Sequence, residues 1–362
     1  MKGGNKGEWS EPYVFLKLLA DGKLHSADPQ LNAIPNLFYP IVKILSVDKN
    51  QSLEYCLDGS TTVAIVDSVT KKQIKKILIS DFDKHAALLL DIILTSKKAM
   101  KSGGIESFLK SINKSKGKAL LKDDKSDIKI VIRDHRTLQE PELGFSIKSM
   151  LGGPATLFNS NTTTNFIFEV TGSKKLLNVN QINDISTKSA VQDRIKAIEK
   201  AGCKLSFTQI ESKTFALNLQ IIDSDMPVIL ANLLLLKYSG KYGTQFPNLL
   251  AEIIKTNPLD YDLSENHPFY QYKIKSLLTD IALGMTAKSV WLGEYSATGG
   301  IIIVKRDGDL VCLHIYNRSN FQNYLIANTK LDGPSTKRMK YGALYEENGN
   351  LFFKLNLHIR FN

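Results

Sequence analysis

Asp134-His-Arg-Thr-Leu-Gln-Glu-Pro-Glu-Leu-Gly-Phe-Ser-Ile-Lys148 is the stretch on which the fold of this chain turns. Just upstream, residues 127–134 alternate. Ile128, Ile130 and Ile132 share one parity, and Lys129, Val131 and Arg133 share the other, which predicts a strand. Gln139-Glu-Pro-Glu142 ends that strand, because proline cannot donate to a ladder and biases Glu140 away from the helical region. A second strand is then expected over 143–150. Side chains two apart share a face, so Ser146 and Lys148 project together while Phe145 and Ile147 face the other way. With the strands paired, Asp134 near the end of the first is expected to meet Ser146 and Lys148 on the second.

An acid, a short hydroxyl and a lysine on neighbouring strands suit metal-assisted hydrolysis of a phosphodiester. Magnesium takes hard oxygen ligands and keeps several waters. It polarises the phosphate and acidifies a bound water, while a lysine can orient that water and offset growing negative charge. A solvated strand face would account for the same residue types, so the spacing alone is a weak signal.

The block Leu143-Gly-Phe-Ser-Ile-Lys-Ser149 resembles the catalytic strand of the HpaII-type restriction endonucleases, a branch of the PD-(D/E)XK nuclease superfamily. The similarity extends to Asn5-Lys-Gly-Glu-Trp-Ser-Glu11, Thr164-Asn-Phe-Ile-Phe168 and Lys354-Leu-Asn-Leu-His-Ile-Arg-Phe361, and so spans nearly the whole chain. The resemblance implies a mixed α/β (α+β) fold, with a nuclease core of a mixed central sheet flanked by helices. It also implies a magnesium-dependent enzyme cutting double-stranded DNA at a short, GC-rich palindrome such as CCGG. On the superfamily pattern Asp134 takes the first acidic position, although Arg133 precedes it where proline is usual. Lys148 takes the final lysine. Ser146 stands where a second acid is usual, which removes one charged metal ligand.

Another carboxylate is then needed for the cation. Trp9, Tyr13, Leu16 and Ala20 recur at helical spacing, Gly22 is a stop, and Pro12 is tolerable only in the first turn. Glu8 and Glu11 would lie near the start of this helix, where the dipole also favours negative charge. The resemblance implies that Glu8 reaches the metal together with Asp134. Glu142 is a second candidate, though a turn position makes it a solvated residue.

The chain has 362 residues, 43% hydrophobic, with a formal net charge of +11. That charge favours polyanions. Lys97, Lys98, Lys101, Lys110, Lys114, Lys116, Lys118, Lys122 and Lys125 are interleaved with glycines and serines, and read as a mobile, solvated stretch able to touch phosphates. Cys56, Cys203 and Cys312 are widely spaced and odd in number, as expected of reduced thiols in a cytoplasmic protein. The glycine-rich, charged opening residues do not read as a secretory signal, and none is expected. The longest apolar run, 226–236, contains Asn232 and is too short to span a bilayer, so it reads as a buried helix and no membrane association is expected.

Strands are expected at 38–47, 53–56, 62–66 and 74–79, and helices over 81–96 and 104–114. Residues 165–170 read as a third core strand. Asn159-Ser-Asn-Thr-Thr-Thr164 before it reads as a loop whose amides and hydroxyls suit base edges or phosphates, with Asn161, Thr164 and Asn165 as candidate DNA contacts. Turn chemistry explains them equally well. Composition shifts after Lys175, which suggests a catalytic core over 1–175 and a recognition and dimerisation region over 176–362, either a separate domain or one continuous body with the core. Helices are expected over 191–201, 226–238 and 269–284, and a strand over 214–222. The tail reads as β-rich. Asp307-Gly308 and Asn348-Gly349 are type I′ hairpin signals, the second followed by a strand over 351–361. Between them Gly333-Pro-Ser-Thr-Lys-Arg-Met-Lys340 reads as an exposed basic loop, with Lys337, Arg338 and Lys340 placed to enter a groove and Arg338 suited to guanine.

The six histidines show no zinc spacing, and no Walker A loop is present, so zinc chemistry and ATP-driven translocation are not expected. Two function classes remain: a site-specific endonuclease, or a sequence-specific DNA-binding protein whose acid and lysine are structural. A palindromic target would call for a homodimer, formed in solution or on DNA.

Overall fold

In a computed structural model, residues 5–48, 51–96, 104–114, 126–134 and 137–362 are described. Asn5 starts the first helix, its Oδ1 accepting the Glu8 N–H at 2.9 Å. Helix α1 (Lys6–Asp21) then runs to Gly22, whose φ of +64° closes it while its N–H bonds the Leu18 carbonyl. Pro12 lies in the second turn rather than the first. It is buried among Trp9, Tyr13, Phe15 and Leu16, and packing on that apolar face offsets the lost backbone bond. Four antiparallel connections follow through β1 (Lys23–Ala27), β2 (Ala33–Asp48), β3 (Gln51–Leu57), β4 (Thr62–Asp67) and β5 (Gln73–Leu78). Next come α2 (Ile79–Thr95), α3 (Ile105–Ser111), and the expected hairpin of β6 (Ile128–Ile132) and β7 (Glu142–Ser149).

The chain continues through β8 (Thr156–Phe158), β9 (Asn165–Gly172), α4 (Val179–Asn183), α5 (Ala190–Lys200) and β10 (Cys203–Ile210). Then come α6 (Lys213–Ile222), α7 (Met226–Ser239), α8 (Phe246–Thr256) and α9 (Phe269–Leu283). The expected strand over 214–222 is therefore the helix α6. Ser212 caps it by accepting the Phe215 N–H, and Phe215, Asn218 and Leu219 form its buried stripe, so a 3.6 period prevails in a short apolar run that alternation also fits. The remainder comprises β11 (Gly300–Val304), β12 (Leu310–His314), α10 (Arg318–Ala327), β13 (Thr329–Leu331), α11 (Thr336–Met339), β14 (Leu344–Glu347), β15 (Asn350–Asn356) and β16 (Ile359–Phe361). Asn348 and Gly349 both have positive φ, as a type I′ turn requires. At the other hairpin only Gly308 does, and the Lys305 N–H closes a longer loop on the Asp309 carbonyl.

The described chain is mixed α/β, 39% helix and 30% strand. It forms two compact units. The first contains residues 1–155, 282–284 and 295–324. Its sheet has the order β1-β12-β11-β7-β6-β2-β3-β4-β5, and β1 also pairs with the first half of the long β2. One face carries Ile128, Ile130, Ile132, Leu143, Phe145, Ile302 and Val304, and α1 and α2 cover it in a single core cluster. The boundary expected at 175 is not where the units divide. Residues 295–324 belong to the first unit, because β11 pairs in parallel with β7 over Gly300–Val304.

The second unit contains residues 156–281, 285–294 and 325–362. It holds a sheet of order β10-β9-β15-β14 and a smaller one of order β13-β16-β8. The strand expected over 165–170 is thus β9, which belongs to this unit and not to the central sheet. The expected strand over 351–361 is split between the two sheets at Leu357 and His358. Helix α7 is buried along most of its length, as its apolar run requires. Among the described residues no single helix is long and apolar enough to cross a membrane.

Candidate active site

The β6–β7 register decides which acid meets the hydroxyl and the lysine. Ile128 opposes Phe145 and Val131 opposes Glu142, and the ladder continues to Asp134, whose N–H bonds the Gln139 carbonyl at 2.9 Å. The register is therefore set about four residues earlier than a turn at Gln139-Glu-Pro-Glu142 would give. Such a shift moves every cross-strand partner by eight. Asp134 consequently lies at the hairpin tip, buried, and the expected meeting with Ser146 and Lys148 does not occur. Seven residues of strand separate it from the other end of β6, on the order of 20 Å. His135, which follows it, lies outside the described residues.

Asp127 stands opposite Ser146 instead. The Ser146 hydroxyl donates to Asp127 Oδ2 at 3.1 Å, and the Ile147 N–H donates to the same oxygen at 2.8 Å. Lys148 Nζ donates to the Ser146 hydroxyl at 2.9 Å. A half-buried carboxylate, a buried hydroxyl and a half-buried ammonium thus form one hydrogen-bonded line on a single face of the sheet. That face was foreseen for Ser146 and Lys148, and the acid was missed. The available signal was Asp127 itself, at the start of the alternating run, read against an antiparallel register with an earlier turn.

Gly144 lets the neighbouring segment approach this line. A Cβ there would fall 2.4 Å from the Ser296 carbonyl oxygen and 2.9 Å from the Ser126 Cβ. Its N–H instead donates to the Thr298 hydroxyl at 3.2 Å, and its carbonyl accepts from the Gly299 N–H at 2.8 Å. The other side of β7 is walled by β11, whose Ile301 and Ile303 stand beside Ser146 and Lys148.

Glu8 is not brought to this face. Helix α1 packs on the opposite side of the sheet, where Ser10 bonds the Ser149 hydroxyl at 2.7 Å. The Glu8 carboxylate is exposed and accepts from the Asn5 side chain at 3.2 Å, which is a role at the helix start. Glu142 is exposed beside Lys129 at 3.6 Å. Among the described residues no three His, Cys, Asp or Glu side chains cluster as a metal cage.

The candidate DNA contacts divide in two. Thr164 and Asn165 are fully buried. Asn165 Nδ2 donates to Glu211 at 2.8 Å and to the Met339 carbonyl at 2.9 Å, and Asn356 Nδ2 donates to Asn165 Oδ1 at 2.7 Å and to the Asn161 carbonyl at 2.8 Å. Asn161 caps a short helical turn over Thr162–Thr164. These amides are spent on holding β9 to β15, so Thr164 and Asn165 do not present themselves to bases. Lys337, Arg338 and Lys340 are exposed on α11 and its C-cap, a helical turn where a loop was expected. Of the lysine-rich stretch 97–125, Lys110 is exposed and Lys114 is buried over the Phe15 ring at 4.8 Å, so Lys114 is no phosphate contact. Lys97, Lys98, Lys101, Lys116, Lys118, Lys122 and Lys125 lie outside the described residues.

A sheet bearing acid, hydroxyl and lysine in hydrogen-bonded line on adjacent antiparallel strands is the arrangement expected of a hydrolytic nuclease. Residues 5–361 match the HpaII restriction endonuclease family, and the chain belongs to it. It is 44% identical over 360 residues, 99% of this chain and 98% of the relative, to the Type II restriction enzyme HpaII of Haemophilus parainfluenzae. No solved structure matches it.

Proposed function

We propose that this restriction endonuclease cuts both strands of a short, GC-rich palindrome, CCGG being the first sequence to test, by magnesium-dependent attack of water on the phosphodiester. The observation that carries the reading is the Asp127–Ser146–Lys148 line, within a chain that matches the family from end to end. Lys148 would hold the attacking water and offset charge growing on the phosphate. Ser146 would fix the lysine head rather than bind metal, since its hydroxyl already links ammonium and carboxylate. Asp127 would be the principal protein ligand of the cation. One carboxylate, a DNA phosphate oxygen and several waters make an acceptable set for magnesium, which is seldom bound by a full protein cage. Bound there, the ion would polarise the phosphate and acidify a coordinated water.

Two scissile phosphates related by a two-fold axis call for two chains, so the working form is read as a homodimer, assembled in solution or on DNA. The three free thiols favour work in the reducing cytoplasm. Arg338, exposed on α11, is the residue best suited to read a guanine edge.

Plasmid digestion tests the reading. With magnesium, linear product should form and sequenced ends should map to one short palindrome. Ends scattered over many sequences, or no cleavage with magnesium, would overturn it. Cleavage rate should rise more steeply than linearly at limiting enzyme, or light scattering should show a dimer. A monomer that nicks each strand independently would remove the homodimer.

A further inference from the structure

Four cations converge on one cleft of the second unit. Arg194 comes from α5, Lys337 and Lys340 from α11 and its C-cap, and Lys354 from β15, lining a space of about 430 Å³ with Thr336 and Tyr345. No acidic residue lines it among the described residues. Arg194 is a fixed charge, because its terminal nitrogens donate to the Gly342, Asn183 and Ile185 carbonyls at 2.6, 2.6 and 2.7 Å. Lys354 is partly neutralised by Glu211 at 3.2 Å. Lys337 and Lys340 are exposed and make no ion pair among the described residues. The Tyr345 hydroxyl is buried without a hydrogen-bond partner there, and burial, with Glu347 and Glu211 nearby, pushes it up to about 12. It therefore stays a neutral donor at the cleft wall.

A concave, acid-free wall with four cations from three elements focuses positive potential in a way that a flat lysine-rich surface does not. We propose that this cleft is a clamp for a non-scissile phosphate of the DNA backbone. Lysines suit that task as mobile point charges, whereas reading a base edge calls for a planar fork. Arg338, the one such fork on α11, is not among the cleft-lining residues. The helix thus divides its labour: Lys337 and Lys340 position the duplex, and Arg338 is left for sequence. This assignment rests on the proposed use of α11 in DNA binding and deepens it.

Equilibrium binding without magnesium, measured across salt on cognate and scrambled duplexes, tests the clamp. Lys337→Ala/Lys340→Ala should weaken both complexes by a similar factor, about 10-fold or more at moderate salt. It should lower the slope of log K against log salt by about 1–2, and leave the cognate-to-scrambled ratio unchanged. Glu211→Gln keeps the acceptor for Asn165 but releases Lys354, so it should tighten both complexes and steepen the slope by about 1. An unchanged slope in the double variant, or a loss confined to the cognate duplex, would overturn the clamp. No tightening in Glu211→Gln would remove Lys354 from it. Inorganic phosphate at millimolar concentration should not compete. If it displaces DNA from wild type but not from the double variant, the cleft is a site for free phosphate instead. If wild type binds neither duplex, the failure belongs to the DNA reading and not to the clamp.

Discussion

Asp127 and Ser146 face each other across β6 and β7, the serine hydroxyl 3.1 Å from the aspartate Oδ2. Asp134, a residue of the same type at the far end of the same hairpin, is the natural control. Asp127→Asn should cut the single-turnover cleavage rate by about 10²–10³-fold or more. Asp134→Asn should stay within about threefold of wild type once folded protein is matched by circular dichroism. The opposite ranking would return the metal-binding role to Asp134.

Lys148→Ala should abolish cleavage while DNA affinity stays near wild type, because the lysine serves the attacking water. Ser146→Ala should cost less, about 10-fold, since the Ile147 N–H still holds Asp127. Ser146→Thr should stay nearer to wild type than Ser146→Ala, because it keeps the hydroxyl to which Lys148 donates. Equal losses in the two variants would mean that the serine does not position the lysine.

Much of this hairpin could be read from sequence, and its one misplacement has a definite cause. Alternation gave both strands and the shared face of Ser146 and Lys148, because side-chain parity is a local property. The partner acid depended on where the turn falls. Pro141 marked a break, yet the chain reverses earlier, with Leu138 at φ +57° and its N–H on the Asp134 carbonyl. A leucine in that conformation is not a sequence signal for a turn. Likewise β9 reads as a core strand from its apolar alternation, and only pairing with β10 and β15 assigns it to another sheet. Resemblance was robust to these errors because it rests on the blocks themselves, not on register.

Lys237 offers a test of stability against pH. Burial lowers its ammonium to about 7 from the ordinary 10.5, although Asp332 pulls the other way. Its Nζ lies 3.2 Å from the Asp332 carbonyl oxygen and 3.4 Å from the Tyr238 ring centroid. Between pH 7 and 10.5 the unfolded chain binds a proton that the folded chain does not, so this group makes stability rise with pH in that window. Below pH 7 both states are protonated and the cost of the buried charge is present in full. Lys237→Met should therefore be more stable than wild type at pH 7, by about 1–2 kcal/mol, and should lose part of the rise between pH 7 and 9.5. A steeper rise in the variant, followed by chemical denaturation, would contradict the assignment.

Asn356→Ala removes the amide that bonds Asn161, Thr164 and Asn165 together. The Asn161 carbonyl and the Thr164 hydroxyl keep their bonds to each other's segment, but the buried Asn165 Oδ1 loses this donor, which should cost about 1–3 kcal/mol in urea unfolding. The β6–β7 hairpin belongs to the other unit, so single-turnover cleavage per folded molecule should hold at saturating enzyme, where a weaker hold of Asn165 on the Met339 carbonyl of α11 affects binding only. A loss within 0.5 kcal/mol, the size of an ordinary surface change, would show that the network carries little weight.

The parallel pairing of β11 with β7 sets an order of events during synthesis. The strand carrying Ser146 and Lys148 leaves the ribosome some 150 residues before Gly300–Val304, the partner that completes its second edge. At roughly 5–20 residues per second this is an interval of about 8–30 s. Until it ends, β7 has an unpaired edge toward solvent, and the segment that crowds Gly144 does not yet exist. The edge of β7 beside Ser146 and Lys148 is therefore closed only by a segment from the C-terminal part of the chain.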